Sequence, residues 1–183
     1  MLTLKQIQLV GLRCRNFIED EIDKCFCCTS EPQCFAGACA IASHAMSIVL
    51  DEHGHDTTFV LQSIADSLGF HCYLEFFLDD IKHVVDATAT QFFCGRYKED
   101  DDWSQYIAEC VVEPAKAYRK RQFCTGRRTI DMKALHTIKR GWQEQSPHNY
   151  EKKIIAWADR ACRGLEDIGS DVQARYGRDK LTA

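Results

Sequence analysis

Apolar residues recur every three or four positions in several parts of the chain, a spacing typical of helices with one buried face. The apolar positions of the first such pattern, in residues 1–30, are Ile7, Val10, Cys14, Phe17, Ile18 and Ile22. They predict an amphipathic N-terminal helix. From Gly37 a second pattern runs through Ile41, Ala45 and Ile48, and Gly54 is placed to end that helix in a left-handed conformation. The second pattern therefore places the Cys39 thiol in the first turn of a helix.

The pattern then changes to short runs rich in β-branched and aromatic residues, which is typical of strands. These runs are FVLQSIA, FHCYLEFFL and KHVVDATA, which begin at Phe59, Phe70 and Lys82. We expect them to form a small antiparallel sheet. Asp79 and Asp80 separate the last two runs, and such a pair of turn-forming residues predicts a tight hairpin.

A two-residue turn at Asp79 and Asp80 fixes which side chains of this hairpin share a face. His71 then lies opposite Thr88, which makes His71 and Asp86 diagonal neighbours on one face. The opposite, core-facing surface carries the apolar residues Cys72, Leu74, Phe76, Leu78, Val85, Ala87 and Ala89. A turn of three residues would break this parity, so the predicted contact between His71 and Asp86 depends on the turn length.

Residues 100–183 predict a helical C-terminal part. Helical spacing is found at Trp103, Tyr106, Ile107, Cys110 and Val111, and again at Ile130, Ala134, Ile138 and Trp142. A third helix has Ser146 as its N-cap and Pro147 as its first residue. Its apolar stripe is Tyr150, Ile154, Trp157, Ala158, Ala161, Leu165 and Ile168, followed by Gly169. The stripe favours core packing, with a partner interface as the alternative.

Composition excludes several classes of protein. The 183 residues suit one domain with a core of its own. The net charge of −4 comes from mixed acidic and basic residues, so no nucleic-acid partner is expected. The basic run YRKRQF, residues 118–123, is expected to be a solvated loop or helix end. No apolar run is long enough for a membrane span, and no membrane partner is expected.

The eleven cysteines are interpreted as reduced thiols in a cytoplasm, because their number is odd and no signal-peptide pattern precedes them. Delivery into a host cytoplasm by a specialised secretion system would leave no mark in the sequence. Four of these cysteines form a cluster, at Cys25, Cys27, Cys28 and Cys34. The C-x-C-C spacing is too cramped for a tetrahedral zinc site, so we predict no metal there. A redox bridge from one of these thiols to Cys39 is the alternative.

Cys39 is the candidate nucleophile. A thiol at a helix N-terminus faces backbone N–H groups and the positive end of the helix dipole, which favour the thiolate. Gln33 precedes Cys39 by six residues, and Gly37 between them lets the chain approach the thiol. The Gln33 side-chain amide and the Cys39 backbone N–H are therefore candidates for an oxyanion hole, which stabilises the intermediate of acyl transfer.

A nucleophilic thiol needs a base and a group that orients the base. Among the seven histidines, His71 is the candidate base, because the hairpin places it beside Asp86. His83 points to the opposite face of the hairpin, and His44 points away from the thiol on the same helix as Cys39. The remaining histidines are expected at the surface and are His53, His55, His136 and His148.

These segments resemble a known superfamily. The stretch Q-x-x-x-G-A-C resembles the nucleophile segment of papain-like cysteine proteases, with Ala40 after the cysteine where those enzymes usually have an aromatic residue. HCYLEFF and HVVDATATQF are similar to the H-x-W and D-x-T-x-x-Q-F elements of small transglutaminase-like proteins, with Tyr73 in place of Trp. The resemblance covers residues 33–93.

The resemblance implies an α+β fold with a papain-like, transglutaminase-like core, in which the nucleophile helix packs on a small antiparallel sheet. Together with the chain length and the helical patterns, this predicts a single domain, with an N-terminal helix in residues 1–30, a catalytic core in 33–93 and a helical extension in 100–183. The resemblance also implies a thiol-dependent acyl-transfer enzyme without a cofactor, acting on a protein or peptide. Cys39 would be the nucleophile, His71 the base and Asp86 the orienting acid.

Several functional alternatives stay open from the sequence. Water as the acyl acceptor would make the protein a peptidase, amidase or glutamine deamidase, whereas an amine would make it a transglutaminase. A non-catalytic protein-interaction module on the same fold is a second possibility. A thiol or metal sensor built on the cysteine cluster is a third.

Overall fold

The computed structural model describes residues 1–22, 38–63, 70–89, 110–120, 128–130 and 150–165. Within these ranges the helices are α1 (Leu4–Phe17), continued by a π-helical turn at Ile18–Ile22, then α2 (Cys39–Glu52), α3 (Ala115–Tyr118) and α4 (Tyr150–Ala161). The strands are β1 (Thr57–Ser63), β2 (Phe70–Leu78), β3 (Ile81–Asp86), β4 (Val111–Pro114) and β5 (Arg128–Ile130). The described residues thus form a mixed α+β fold, which confirms that part of the prediction.

Helix α1 begins at a reciprocal cap. The Thr3 hydroxyl accepts a hydrogen bond from the Gln6 backbone N–H at 3.3 Å, and the Gln6 side chain accepts one from the Thr3 backbone N–H at 2.9 Å. The predicted amphipathic face is buried, including Ile7, Val10 and Cys14. The α-helix ends at Phe17 and continues as the π-helical turn, so the described part of the predicted N-terminal helix reaches Ile22. Residues 23–37 lie outside the described part of the chain.

Helix α2 begins at Cys39, so the thiol lies on the first helical residue as predicted. Ala38 occupies the cap position and has no side-chain group that could bond the first-turn N–H groups. The helix ends before His53, and Gly54 has a φ of 78°, the left-handed conformation expected of a C-terminal glycine. Helix α2 packs against β2, α4 and α1, which buries residues on most of its circumference.

The sheet among the described residues has five strands in the order β4-β3-β2-β1-β5, and each neighbouring pair is antiparallel. The turn between β2 and β3 contains only Asp79 and Asp80, with φ values of 49° and 61°. Both residues are left-handed, as the commonest two-residue hairpin requires. The pairing of Leu74 with Val85 confirms the register predicted from this turn length.

Two strands lie where helical spacing was predicted. Val111 belongs to β4, which pairs with β3, and Ile130 belongs to β5, which pairs with β1. The helical structure predicted at Val111 and at Ile130 is therefore wrong, whereas α4 lies within the predicted helical part. Strands β3 and β1 can each pair with one more strand on their outer side, and β-branched residues such as Val111 and Ile130 suit a strand. Strand pairing therefore overrides the helical spacing of the sequence. Other residues assigned to these patterns, such as Trp103 and Trp142, lie outside the described part.

Helix α4 has the predicted buried stripe, which comprises Tyr150, Ile154, Trp157, Ala158 and Ala161, with Leu165 beyond its end. The helix ends at Ala161, earlier than the predicted stop after Ile168, and Gly164 follows with a φ of 69°. Arg13 of α1 explains this end, because its Nη1 donates to the Ala161 carbonyl at 2.5 Å and to the Arg163 carbonyl at 2.9 Å. The predicted cap residues Ser146 and Pro147 lie outside the described residues.

Away from the turn, both faces of the β2–β3 hairpin are buried. The apolar face, which includes Leu74 and Val85, joins the core formed with α1, α2 and α4. The opposite face contains His71, Tyr73 and Glu75, each at most 1 % exposed. Within the described ranges, no helix is long and apolar enough to cross a membrane.

Candidate active site

His71 and Asp86 form a direct, buried contact. The His71 Nε2 atom lies 2.6 Å from Asp86 Oδ2, and the two side chains are 0 % and 1 % exposed. His71 lies near the start of β2, and Asp86 is the last residue of β3. The hairpin register places them diagonally, so the contact predicted from a two-residue turn is confirmed.

The Asp86 carboxylate is held on both of its oxygens. Oδ1 accepts from the Thr88 backbone N–H at 2.9 Å and from the Thr88 hydroxyl at 3.3 Å, a turn typical of aspartate. Oδ2 accepts from His71 and from the Tyr118 hydroxyl at 2.5 Å. Burial alone would raise the Asp86 pKa, but the positive charge of His71 and these hydrogen bonds lower it below its usual value.

The Cys39 thiol contacts the His71 ring on the side opposite Asp86. Its hydrogen-bond partners among the described residues are the His71 ring and Cys72. Because Nε2 of His71 is engaged with Asp86, Nδ1 is the ring nitrogen that faces the sulfur. The structure therefore brings together Cys39, His71 and Asp86 in that order.

The pKa values of Cys39 and His71 shift in opposite directions. Hydrogen bonding from the Cys72 side chain, opposed by burial and aided by the hydrogen bond and charge of His71, lowers the Cys39 pKa well below its usual value. Burial opposes protonation of His71, but the charge of Asp86 and the hydrogen bonds to Asp86 and Cys39 raise its pKa to about 9. The lowered Cys39 pKa and the raised His71 pKa both favour a thiolate–imidazolium pair, the reactive form of a nucleophilic cysteine.

The sequence did not reveal two residues that contact this group. Cys72 was assigned to the core face, and it is buried there, but its thiol also reaches Cys39 from the strand position next to His71. The hydrogen bond to the Cys39 thiolate raises the Cys72 pKa. Tyr118 belongs to the run that was expected to be a solvated loop or helix end. It does end α3, but its side chain is fully buried against Asp86.

The other described cysteines lack an environment that favours the thiolate. Burial raises the pKa values of Cys14 and Cys110. Partial burial also raises the pKa of Cys162, which lies 3.1 Å from His53 Nε2. Among the described cysteines, Cys39 therefore combines a helix start, a basic partner and a lowered pKa.

The other described histidines do not compete for the thiol. His83 stacks on Phe76 with ring centroids 5.6 Å apart and its Nδ1 lies 3.0 Å from the Ile81 carbonyl oxygen, on the opposite hairpin face as predicted. His55 was expected at the surface, and this is wrong. Its ring is 2 % exposed, and its Nε2 accepts from the Leu2 backbone N–H, because the chain start folds over the end of α2.

Some predicted features lie outside the described residues. They are the oxyanion-hole candidate Gln33, the cluster of Cys25, Cys27, Cys28 and Cys34, and the histidines His136 and His148. Within the described ranges, no group of three or more His, Cys, Asp or Glu side chains is arranged to hold a metal ion.

Comparison of the chain with protein-family models, curated proteins and solved structures gives no match. The functional argument therefore depends on the chemistry of the site itself.

Proposed function

We propose that the protein is a thiol-dependent acyl-transfer enzyme that uses Cys39, His71 and Asp86 as a catalytic triad on a papain-like, transglutaminase-like core. One observation carries the proposal: a buried hydrogen-bonded chain runs from a helix-start thiol through an imidazole to a fully bonded carboxylate. A structural core cysteine needs neither a basic partner nor an orienting acid. Nucleophilic catalysis needs both.

The proposed first step is attack of the Cys39 thiolate on the carbonyl carbon of an amide or ester. A carbon–sulfur bond forms, and the bond to the leaving nitrogen or oxygen breaks as the His71 imidazolium donates its Nδ1 proton to that atom. The products are a thioester on Cys39 and a neutral imidazole. Asp86 holds the Nε2 proton throughout and stabilises the imidazolium in the free enzyme.

The second step transfers the acyl group to an acceptor. His71 takes a proton from the acceptor as it attacks the thioester, and the sulfur leaves as a thiolate beside the restored imidazolium. Water as the acceptor gives a peptidase, amidase or glutamine deamidase. A primary amine gives a transglutaminase. Hydrolysis of a protein or peptide substrate is the outcome we propose.

The experiment is to trap the thioester with a small activated ester, p-nitrophenyl acetate. We expect a burst of nitrophenol and one acetyl group per chain, mapped to Cys39 by mass spectrometry of acid-quenched protein. Cys39→Ala should abolish the burst. Cys162→Ala is the matched control, because it removes a more accessible thiol and should leave the burst intact.

Acetylation at another cysteine, or no acetylation in folded protein, would contradict the proposal and favour a non-catalytic interaction module. If the thioester forms, a panel of glutamine-containing peptides, with and without a primary amine, identifies the acceptor. Release of ammonia without amine incorporation indicates water. Incorporation of the amine indicates transglutamination.

A further inference from the structure

Tyr118 contacts the triad at Asp86, on the carboxylate oxygen that also bonds His71. It is the last residue of α3, which follows β4 directly, and β4 pairs with β3 up to the partners Asp86 and Val111. This strand-to-helix corner brings the Tyr118 side chain back against the end of β3. Its hydroxyl donates to Asp86 Oδ2 at 2.5 Å, and the residue is 0 % exposed.

The Tyr118 hydroxyl and the His71 ring share one carboxylate oxygen. Oδ2 accepts from both, while Thr88 holds Oδ1. A carboxylate bonded on one oxygen alone could rotate about its Cβ–Cγ bond. With both oxygens held by donors from different parts of the chain, Asp86 is fixed with Oδ2 towards His71.

The chemistry of a phenol suits this position. A buried carboxylate needs hydrogen-bond donors to remain charged. A lysine or arginine would supply them, but its positive charge would cancel the negative charge that supports the His71 imidazolium. A tyrosine hydroxyl is neutral, so it donates a hydrogen bond and leaves the net charge of Asp86 available to the imidazole.

The packing of the ring shows that the placement is specific. The centroids of the Tyr118 and Tyr73 rings are 4.8 Å apart, and those of the Tyr73 and His71 rings are 6.0 Å apart. Tyr73 therefore fills the space beside both rings. Its hydroxyl is not a partner of Asp86, whose hydrogen bonds come from His71, Thr88 and Tyr118.

We propose that Tyr118 is a positioning residue of the triad, which holds the Asp86 carboxylate in the orientation in which it bonds the His71 Nε2 atom. This inference rests on the proposed function, because it assigns Tyr118 a role in acyl transfer. The residue acts through Asp86 and touches neither the thiol nor a substrate. Removal of its hydroxyl should therefore change the pH dependence of the rate of Cys39 alkylation.

The test is Tyr118→Phe, which keeps the ring and removes the hydroxyl. Loss of a hydrogen bond to the charged carboxylate makes Asp86 easier to protonate. As the pH falls, Asp86 therefore loses its negative charge at a higher pH than in the wild-type protein, and the His71 imidazolium loses the charge that stabilises it. We expect the acid limb of the rate of Cys39 alkylation to move up by about one pH unit. The rate at pH 8 should change little. Tyr73→Phe is the matched control, and we expect its acid limb to stay in place.

A second readout keeps the test independent of catalysis. The proton of the short bond between His71 and Asp86 should give a low-field NMR resonance, assigned by its absence in Asp86→Asn. We expect Tyr118→Phe to move or broaden this resonance and Tyr73→Phe to preserve it.

The two proposals fail in different ways. If the wild-type protein forms no thioester but Tyr118→Phe still changes the resonance, the proposed function fails and the link between Tyr118 and Asp86 stands as a structural one. If thioester formation is intact while the acid limb and the resonance are both unmoved by Tyr118→Phe, the inference about Tyr118 is overturned alone. Equal shifts in Tyr118→Phe and Tyr73→Phe would also overturn it, because general packing would then explain both.

Discussion

At the scale of single residues, the charge of Asp86 decides the state of His71. A fully buried imidazole ordinarily loses its proton more easily than one in water. His71 does the opposite, with a pKa raised from 6.5 to about 9. A rise of that size corresponds to roughly 3 kcal/mol in favour of the protonated ring. The contacts with Asp86, and after them those with Cys39, therefore outweigh the cost of burying the charge.

The charge of Asp86 leads to a prediction for the titration of His71. In an NMR titration, the His71 ring should be half-protonated near pH 9. Asp86→Asn keeps the shape and removes the charge, so the midpoint should fall by about one to three pH units. Glu75→Gln is the control, because it removes a buried carboxylate from the same face of β2 that is paired with Arg119 and Lys82. A midpoint that stays near 9 in Asp86→Asn would refute the assignment of the charge effect.

At the scale of elements, the β2–β3 hairpin sets the geometry of the site. Its turn residues Asp79 and Asp80 both have positive φ values, and the register that follows places His71 and Asp86 on one face. A left-handed backbone is strained for residues with a side chain, although aspartate tolerates it better than most. The turn therefore sets the register that the site requires, but its backbone strain lowers the stability of the protein.

Asp80→Gly should stabilise the protein, because glycine adopts a φ of 61° without strain. We expect the free energy of unfolding to rise by about 0.5 kcal/mol, after the larger entropy of the unfolded glycine is subtracted. The rate of Cys39 alkylation should be unchanged. Asp56→Gly makes the same chemical change at an exposed position without a positive φ, and it should be neutral or destabilising. Equal effects of the two substitutions in urea unfolding would count against strain in the turn.

The features predicted correctly from the sequence are those set by local chemistry. Gly54 ends α2, the Asp79-Asp80 pair makes the hairpin, and the two-residue turn then fixes the contact between His71 and Asp86. Strands β4 and β5 were missed because their pairing partners are distant in the chain. Tyr118 was missed for the same reason, since only the pairing of β4 with β3 brings its hydroxyl to Asp86.

At the scale of the whole molecule, α1 supports the edge strand β4, which leads directly into α3 and Tyr118. Gly11 of α1 lies against Cys110, which directly precedes β4, and a Cβ atom at Gly11 would overlap the Cys110 sulfur. The Gln8 side chain also donates to the Cys110 carbonyl at 2.5 Å. The close approach of α1 thus depends on the absence of a side chain at Gly11.

Gly11→Ala should destabilise the protein, although alanine is the better helix former by about 1 kcal/mol. Overpacking at a buried contact costs about 1–3 kcal/mol, which exceeds that gain. Cys110→Ala in the same chain should recover most of the loss, because it removes the sulfur that the new methyl group meets. A double-mutant cycle in urea measures this coupling. Strictly additive effects of the two substitutions would show that the contact between position 11 and Cys110 does not cause the loss of stability in Gly11→Ala.

The central claim is that Cys39 is an activated thiolate because its sulfur bonds the His71 ring, which Asp86 orients and keeps protonated. The most direct measurement is the rate and site of alkylation by limiting iodoacetamide in the native protein, followed by intact mass and peptide mapping. Near pH 6.5 we expect one dominant adduct at Cys39, and we expect His71→Ala to slow it much more at pH 6.5 than at pH 9, where thiols ionise without help. Faster labelling of Cys162 or of Cys25, Cys27 or Cys28 would contradict the account. So would a His71→Ala variant in which the pH profile of Cys39 alkylation is unchanged.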